Sequence, residues 1–273
     1  MEPLNTIQKI WLEHPDVYSE FKNFLRTMPT SHLPEVAEKL IDIIEKETRG
    51  AYVPDWNLIM KLGAFREKEV LLNAENKKRF INSIENREKN RVNAILSAIP
   101  DGCHLQRIMD FGCNDGKIII ELGKSLKIQE NDLIGIDIVQ PPNTEGFCFP
   151  FLDYLDIETF QKVDLVICLM VFHHITDPQT TLTIIRKFMK PCSYLILREH
   201  DNKQPILKDY FDLLHELWSK VFFPGEKEEN AADYLPIEQW DKMFLDCGFI
   251  LTYKIPHLSV NFSEYRLYRV QDI

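Results

Sequence analysis

The spacing of apolar residues divides the chain into two segments. Up to about residue 100, apolar residues recur at helical spacing, and in residues 34–47 they form a single stripe, as expected of helices that bury one face. From residue 107 onward, short apolar runs alternate with amphipathic stretches. Alternating strands and helices predict βαβ units and a mainly parallel sheet. We therefore predict an N-terminal helical segment, residues 1–100, and an α/β domain, residues 101–273.

The elements of the second segment follow from these runs. Strands are predicted at 107–111, 133–137, 163–169, 193–198, 249–255 and 264–270. Helices are predicted at 116–127, 178–189, 206–221 and 236–247. A further short strand before Asp153 brings the expected sheet to about seven strands. The last two strands are close in sequence, which favours a late antiparallel hairpin.

Composition narrows the class of protein. The chain of 273 residues is 45% hydrophobic and 27% charged, as is ordinary for a globular protein. Its longest strongly apolar run, at 165–172, is far shorter than the roughly 20 residues of a membrane helix. The first residues resemble no secretory signal, and the six cysteines form no Cys-x-x-Cys pair. We expect a cytoplasmic protein with no membrane partner and no zinc site built on cysteine.

The net charge of −10 is unevenly distributed. Residues 1–100 carry 15 basic and 15 acidic residues, and residues 101–273 carry 17 and 27. The second segment should therefore not attract polyanions. One basic cluster stands apart in the first segment: Lys77, Lys78, Arg79, Arg87, Lys89 and Arg91. It is either a solvated helix face or a face that contacts an anion.

The stretch "IMDFGCNDGKIII" at 108–120 combines an apolar run, an acid and two glycines. Gly112 permits a sharp turn after a strand, and Gly116 permits a helix to begin close to a ligand. Asp137 ends the next strand, where an acid can accept the hydroxyl hydrogens of a ribose. This pattern fits either a dinucleotide or S-adenosylmethionine (SAM), and a tight turn without a ligand is the structural alternative.

Three features favour SAM over a nicotinamide or flavin dinucleotide. Asn114 stands where the middle glycine of a G-x-G-x-x-G loop would be. The acids at 110 and 115 suit a ligand with cationic sulfur and ammonium groups better than a pyrophosphate. Asp153, in "FLDYLD" at 151–156, could lie beside an adenine amino group.

The motifs "DFGCNDG", "GIDI", "FLDY" and "VDLVICLMVFHHITDP" resemble, in order and spacing, those of class I SAM-dependent methyltransferases, over about residues 92–255. The resemblance implies a Rossmann-like fold and SAM as the cofactor. By resemblance, Asp110 and the loop amides hold the amino-acid portion, Asp137 the ribose, and Asp153 with Tyr154 the adenine. The cofactor-binding residues implied are Asp110, Gly112, Cys113, Asn114, Gly116, Asp137, Ile138, Asp153, Tyr154, Leu169 and His173.

The stretch "LILREHD" at 195–201 passes abruptly from apolar to charged residues at the end of a strand, where open α/β sheets bind substrates. It is either a solvated strand exit or a substrate site. In the second interpretation, the candidate general bases are His200 first, His174 second and Glu199 third. The candidate substrate-binding residues are Arg198, Asp201 and His215. The adjacent histidines of "HHITD" at 173–177 are poorly placed to share one metal ion, so no metal site is predicted.

The function predicted from these residues is methyl transfer from SAM to an oxygen or nitrogen atom of a small molecule. RNA is the alternative acceptor, because the basic cluster at 77–91 and Arg198 could contact phosphates. A catalytically silent subunit with the same fold, which binds a partner through its helices, is the other alternative. The sequence leaves the acceptor and the oligomeric state open.

Overall fold

The computed structural model describes residues 5–27, 31–49, 53–138, 160–223, 233–255 and 262–272. The chain divides into two compact units. We call residues 1–87 with 204–230 the helical unit, and residues 88–203 with 231–273 the sheet unit. By packing, the first boundary thus lies at residue 87, inside a helix, and a later segment joins the helical unit, whereas the sequence predicted a single boundary at residue 100.

Nine α-helices lie in the described residues. In chain order they are α1 (Thr6–Glu13), α2 (Pro15–Thr27), α3 (Pro34–Thr48), α4 (Asp55–Arg66), α5 (Ala74–Ala98), α6 (Lys117–Leu126), α7 (Pro178–Lys187), α8 (Pro205–Leu217) and α9 (Ile237–Asp246). Short π-helical turns, Glu67–Leu71 and Trp218–Phe222, follow α4 and α8. No helix in the described ranges is both long enough and apolar enough to cross a membrane.

The helical unit contains a capped first helix and a hydrogen bond between residues far apart in the sequence. The Asn5 side chain accepts a hydrogen bond from the Gln8 backbone at 2.6 Å, and the Gln8 side chain accepts one from the Asn5 backbone at 3.2 Å, which satisfies the exposed N–H groups at the start of α1. Val36, Leu40 and Ile44 of the apolar stripe predicted for α3 are buried, and Ile43 is partly exposed. At the other end of the unit, the Arg66 guanidinium donates to the carbonyl of Phe222 at 2.6 Å.

The sheet unit contains six described strands: β1 (Ile108–Phe111), β2 (Leu133–Ile136), β3 (Val163–Leu169), β4 (Met189–His200), β5 (Phe249–Lys254) and β6 (Ser263–Val270). Their order in the sheet is β2-β1-β3-β4-β6-β5. The first four are parallel, and β6 runs antiparallel to both β4 and β5. The predicted α/β fold with a late antiparallel strand is confirmed. The described sheet has six strands rather than seven, and the strand expected before Asp153 lies outside the described residues.

Apolar side chains cover both faces of this sheet. On one face, Met109, Val166 and Leu197 pack with residues of α7 and α9. On the other, Ile108 and Ile167 pack with residues of α6 and the end of α5. All four residues of β1 are buried, as expected of a parallel strand covered on both sides. Because the chain passes from β2 across β1 to β3, the carboxyl ends of β1 and β3 flank the switch point at which such sheets bind ligands.

Candidate active site

The turn after β1 is held in a left-handed backbone conformation at three alternate residues. Gly112, Asn114 and Gly116 have φ values of 79°, 48° and 73°. The N–H groups of Gly112 and Cys113 donate to the carbonyl of Ile136 at 2.8 and 3.1 Å, which joins the turn to the end of β2. Asparagine tolerates the left-handed region better than other side chains do. Asn114 therefore supplies the conformation that glycine gives in the usual motif.

Gly112 is required for space as well as for conformation. A Cβ atom built at this position would lie 2.6 Å from Cγ2 of Val171 and 2.8 Å from its Cβ. Val171 lies just beyond the carboxyl end of β3, so the turns after β1 and β3 are in close contact at the switch point. This contact brings together two segments that the sequence assigned separately to the cofactor site.

Two acids lie at this point of the sheet. Asp110, on β1, has an exposed fraction of only 2%. Burial raises the pKa of its carboxyl to about 8; the charges of Asp137 and Asp115 act in the same direction, and Arg91 opposes them. Asp137 follows β2, and its Oδ2 accepts a hydrogen bond from the backbone N–H of Asn114 at 2.7 Å. The arrangement places two carboxyl groups where a nearby cationic group would favour their ionised forms.

The turn after β3 is organised by Glu199. The N–H of Met170, at φ 61°, donates to the carbonyl of Arg198 at 2.8 Å and ends the pairing of β3 with β4. The N–H groups of Val171 and Phe172 then donate to Glu199 Oε1 at 2.9 and 2.7 Å. A short 3-10 helix, Phe172–His174, follows. One buried side chain thus provides the acceptors for the turn.

Glu199 itself is completely buried. Its Oε2 lies 2.6 Å from His173 Nδ1 and accepts from the backbone N–H of His200 at 3.3 Å. Burial alone would raise the pKa of Glu199, but the charge and hydrogen bond of His173 and the two turn N–H groups outweigh it and hold that pKa below its ordinary range. An acid bound in this way is poorly suited to accept a proton from a substrate.

Four aromatic rings cluster beside Glu199. The ring centroid of His173 lies 4.1 Å from that of His174, 4.9 Å from that of His200 and 5.5 Å from that of Tyr234. The Tyr234 ring is nearly parallel to that of His173 and nearly perpendicular to that of His200. Two candidate bases therefore share one cluster with a predicted cofactor residue. Sequence reasoning did not select Tyr234, because it lies far along the chain and carries no motif of its own.

The other charged residues at the end of β4 form hydrogen bonds and an ion pair with other residues of the chain. Arg198 donates from Nε and Nη2 to Ser263 Oγ at 3.3 and 3.1 Å. One carboxylate oxygen of Asp201 accepts from the N–H of Ile237, at the start of α9, at 3.0 Å, and the other lies 2.5 Å from Lys203 Nζ. The substrate-binding roles of Arg198 and Asp201 stay predictions.

The remaining predicted site residues have different positions. Leu169 and Cys113 are buried beside the switch point, whereas the side chain of Ile138 is 63% exposed. His215 belongs to α8 of the helical unit and is half-buried. Asp153 and Tyr154 lie outside the described residues, so their predicted contacts with adenine stay predictions.

Comparison with known proteins gives the class. A family model described as a methyltransferase domain matches residues 64–257. The chain belongs to this methyltransferase family. The match confirms the predicted class, a SAM-dependent methyltransferase with a Rossmann-like fold, and with it SAM as the cofactor of the class.

Individual relatives match over shorter stretches. A highly reducing polyketide synthase from Alternaria alternata is 30% identical over 114 residues, which are 42% of this chain and 4% of the relative. One from Leptosphaeria maculans is 31% identical over 114 residues, with the same two shares. The chain thus spans about 4% of the length of these relatives.

Similar solved structures include two methyltransferases. Human N-acetylserotonin methyltransferase in complex with SAM is 16% identical, with a TM-score of 0.48, over 90% of this chain and 71% of that chain. Magnesium protoporphyrin IX methyltransferase from Synechocystis with bound SAH is 19% identical, with a TM-score of 0.45, over 73% and 88%. At these TM-scores the likenesses carry no inference about substrate or residue roles.

Proposed function

We propose that this protein transfers the methyl group of SAM to an oxygen or nitrogen atom of a small-molecule acceptor. The observation that supports the proposal most is the pair of acids at the switch point, with Asp110 buried and its pKa raised to about 8. A carboxyl group in this state gains most from a cationic ligand. The ammonium and sulfonium groups of SAM provide that charge.

The donor groups around the turn also fit SAM better than a dinucleotide. A pyrophosphate needs N–H donors and positive charge, whereas this turn follows Asp110, contains Asp115 and donates from the Asn114 N–H to Asp137. In the proposed role, Asp137 accepts the ribose hydroxyls and Asp110 lies toward the ammonium group. When bound, SAM supplies an electrophilic methyl group.

The chain's own residues would position the acceptor and remove its proton. An acceptor attacks in line with the departing sulfur, so positioning contributes most of the rate. His200 is the first candidate base and His174 the second. Glu199 was the third candidate. Its full burial and the four groups that donate hydrogen bonds to its carboxylate argue against that role. Histidine is the side chain whose ordinary pKa suits proton transfer near neutrality.

The distribution of charge supports a small acceptor over RNA. Residues 101–273 carry 17 basic and 27 acidic residues, so the segment that holds the sheet repels polyanions. In the basic cluster, Arg79 pairs with Glu35 at 2.6 Å, and the Arg87 guanidinium lies 4.4 Å from the centroid of the Trp218 ring. These two side chains are used within the helical unit, and the cluster is less available to phosphates than its sequence indicates.

Two measurements test the proposal. Isothermal titration with SAM and S-adenosylhomocysteine should show one site for each ligand. Incubation with methyl-labelled SAM and separate panels of metabolites and RNA should transfer label to a metabolite. Transfer to RNA alone would replace the proposed acceptor class. A protein that binds neither ligand would be the silent subunit with the methyltransferase fold.

A further inference from the structure

We propose that Glu199 is a positioning residue, which holds the turn after β3 and fixes the His173 ring with its proton on Nδ1. The inference rests on the proposed function, because Leu169 and His173, on either side of this turn, are predicted cofactor-binding residues. It assigns the third candidate base a different role. Glu199 acts through the groups it binds and does not itself exchange a proton with the substrate.

The geometry requires an ionised acid. Four donors converge on one carboxylate: the N–H groups of Val171, Phe172 and His200, and Nδ1 of His173. An ionised carboxylate only accepts hydrogen bonds, so every contact is favourable. The lowered pKa of Glu199 agrees with this arrangement. A buried acid with its charge compensated by four donors has no proton to give and little tendency to take one.

The sheet explains why a side chain is needed here. Parallel pairing of β3 with β4 ends at Leu169, opposite Arg198. The left-handed conformation of Met170 then turns the chain away, and the next two N–H groups lose any strand acceptor. Since a buried N–H without a partner costs about 1–3 kcal/mol, Glu199 continues the pairing with its carboxylate. It fixes Val171, which contacts Gly112.

The same carboxylate sets the orientation of His173. Because Glu199 offers only acceptors, His173 Nδ1 must be the donor, and in a neutral ring Nε2 is then an acceptor. The His173 carbonyl accepts from the N–H of Asp233 at 3.2 Å, and its ring stacks on Tyr234. Glu199 therefore places two walls of the site: the turn against Gly112 and the ring cluster that contains His200.

The variant Glu199→Gln distinguishes the contacts of Glu199 with the turn after β3 from its contact with His173. Glutamine keeps an acceptor oxygen for the N–H groups of Val171 and Phe172, but it places an amide donor opposite His173 Nδ1. The ring must then carry its proton on Nε2. Glu264→Gln is the matched control, since Glu264 lies opposite Glu199 in the β4–β6 register and pairs with Arg266 and Lys203. Circular dichroism checks that both variants fold.

The first measurement is the tautomer of His173, read from nitrogen–proton NMR spectra of protein labelled in its histidines. The signal is assigned by its absence in His173→Asn. We expect Nδ1–H in the parent protein and in Glu264→Gln, and Nε2–H in Glu199→Gln. An Nε2–H signal without an Nδ1–H signal in the unmodified protein would overturn the inference without reference to any variant or activity.

The second measurement is S-adenosylhomocysteine affinity by isothermal titration. We expect Glu199→Gln to weaken binding by about tenfold, within the range for one buried polar group left mismatched, and Glu264→Gln to stay within twofold of the parent. A changed tautomer with unchanged affinity would show that Glu199 is structural only, and would overturn the positioning role. A parent protein that binds no ligand would overturn the proposed function instead, while the tautomer still decides whether Glu199 holds the ring.

Discussion

The carboxyl ends of β1 and β4 each place a buried acid next to the last residue of the strand, yet the two acids behave differently. Asp110 on β1 has a pKa raised to about 8 by burial and by neighbouring carboxylates. Glu199 on β4 is more deeply buried, but donors from the turn after β3 and from His173 hold its pKa below the ordinary range. Burial is common to both acids, so the neighbours determine the direction of the pKa shift.

This difference indicates that one acid stabilises the fold and that the other binds a ligand. Glu199 has its partners within the protein and is therefore part of the fold. Asp110 is surrounded by other acids, and a positive charge from outside would relieve that repulsion. A buried acid with like-charged neighbours at the mouth of a parallel sheet therefore indicates a cationic ligand. The four predictions that follow test this contrast.

The largest effect is expected at His200, the last residue of β4. If Glu199 is fixed and His200 is the base, His200→Ala should lower turnover by roughly 10²–10⁴-fold, the usual range for a general base. Steady-state kinetics with a confirmed acceptor measure this, and the exposed His104→Ala is the control. Normal turnover in His200→Ala would transfer the role to His174.

The next effect is on stability. Glu199→Ala should lower the free energy of unfolding by about 3–5 kcal/mol, because it leaves three backbone N–H groups and His173 Nδ1 without their acceptor, and each buried donor left unpaired costs about 1–3 kcal/mol. Urea denaturation followed by circular dichroism measures the change. Glu264→Ala should cost less, because Glu264 is only partly buried and Arg266 keeps Asp241 as an ionic partner. If Glu199→Ala lowered the free energy of unfolding by less than about 1 kcal/mol, the hydrogen bonds to Glu199 would not stabilise the fold.

A third effect concerns Asp137, the acid whose charge helps to raise the pKa of Asp110. Asp137→Ala should weaken SAM binding by about 100-fold or more, because hydrogen bonds to a charged acceptor contribute roughly 1.5–3 kcal/mol each. The thermal melting temperature should change little. Asp137→Asn retains an acceptor for the Asn114 N–H and isolates the contribution of the charge. If isothermal titration showed a SAM affinity of Asp137→Ala within twofold of that of the parent protein, the ribose would bind elsewhere.

The smallest effect is the pH dependence set by Asp110. Its pKa in the fold, about 8, lies above the ordinary value of 3.8. The ligand-free protein therefore favours the protonated acid, and the stability that Asp110 contributes is lost as the pH rises from about 4 through 8. A cationic ligand favours the ionised acid, so SAM affinity should rise by up to about tenfold per pH unit from pH 6 to 7.5.

Asp110→Asn isolates that ionisation. Isothermal titrations in two buffers with different ionisation enthalpies should show proton release when SAM binds to the parent protein near pH 7, and none in Asp110→Asn. The unfolding free energy of this variant should also lose the fall between pH 4 and 8. The same pH slope in both proteins would assign the effect to another group.

Local signals predicted the β1 side of the site well. The glycines at 112 and 116 and the acid at 110 are adjacent in the sequence, and each has a conformational or electrostatic reason that does not depend on distant residues. Even Asn114, a departure from the family pattern, takes the left-handed conformation that glycine would take. Asp137 follows from the spacing of one βαβ unit, and its contact with Asn114 agrees with that placement.

The β4 side depends on pairing between distant segments. Glu199 could be read as a base because nothing nearby in the sequence shows that the register of β3 with β4 delivers two N–H groups and His173 to its carboxylate. The contact of Arg198 with Ser263 is set by β6, more than sixty residues later. Tyr234 meets His173 only through tertiary packing. No periodicity or motif encodes these contacts.

The discontinuous helical unit has a consequence for synthesis on the ribosome. Arg66 leaves the ribosome long before Phe222, whose carbonyl its guanidinium binds, and α8 with its π-helical turn comes between β4 and β5. At roughly 5–20 residues per second, the first helices wait on the order of ten seconds or more for this last element. During that interval their apolar faces are open to chaperones, and a fragment that stops at residue 100 would keep them open permanently.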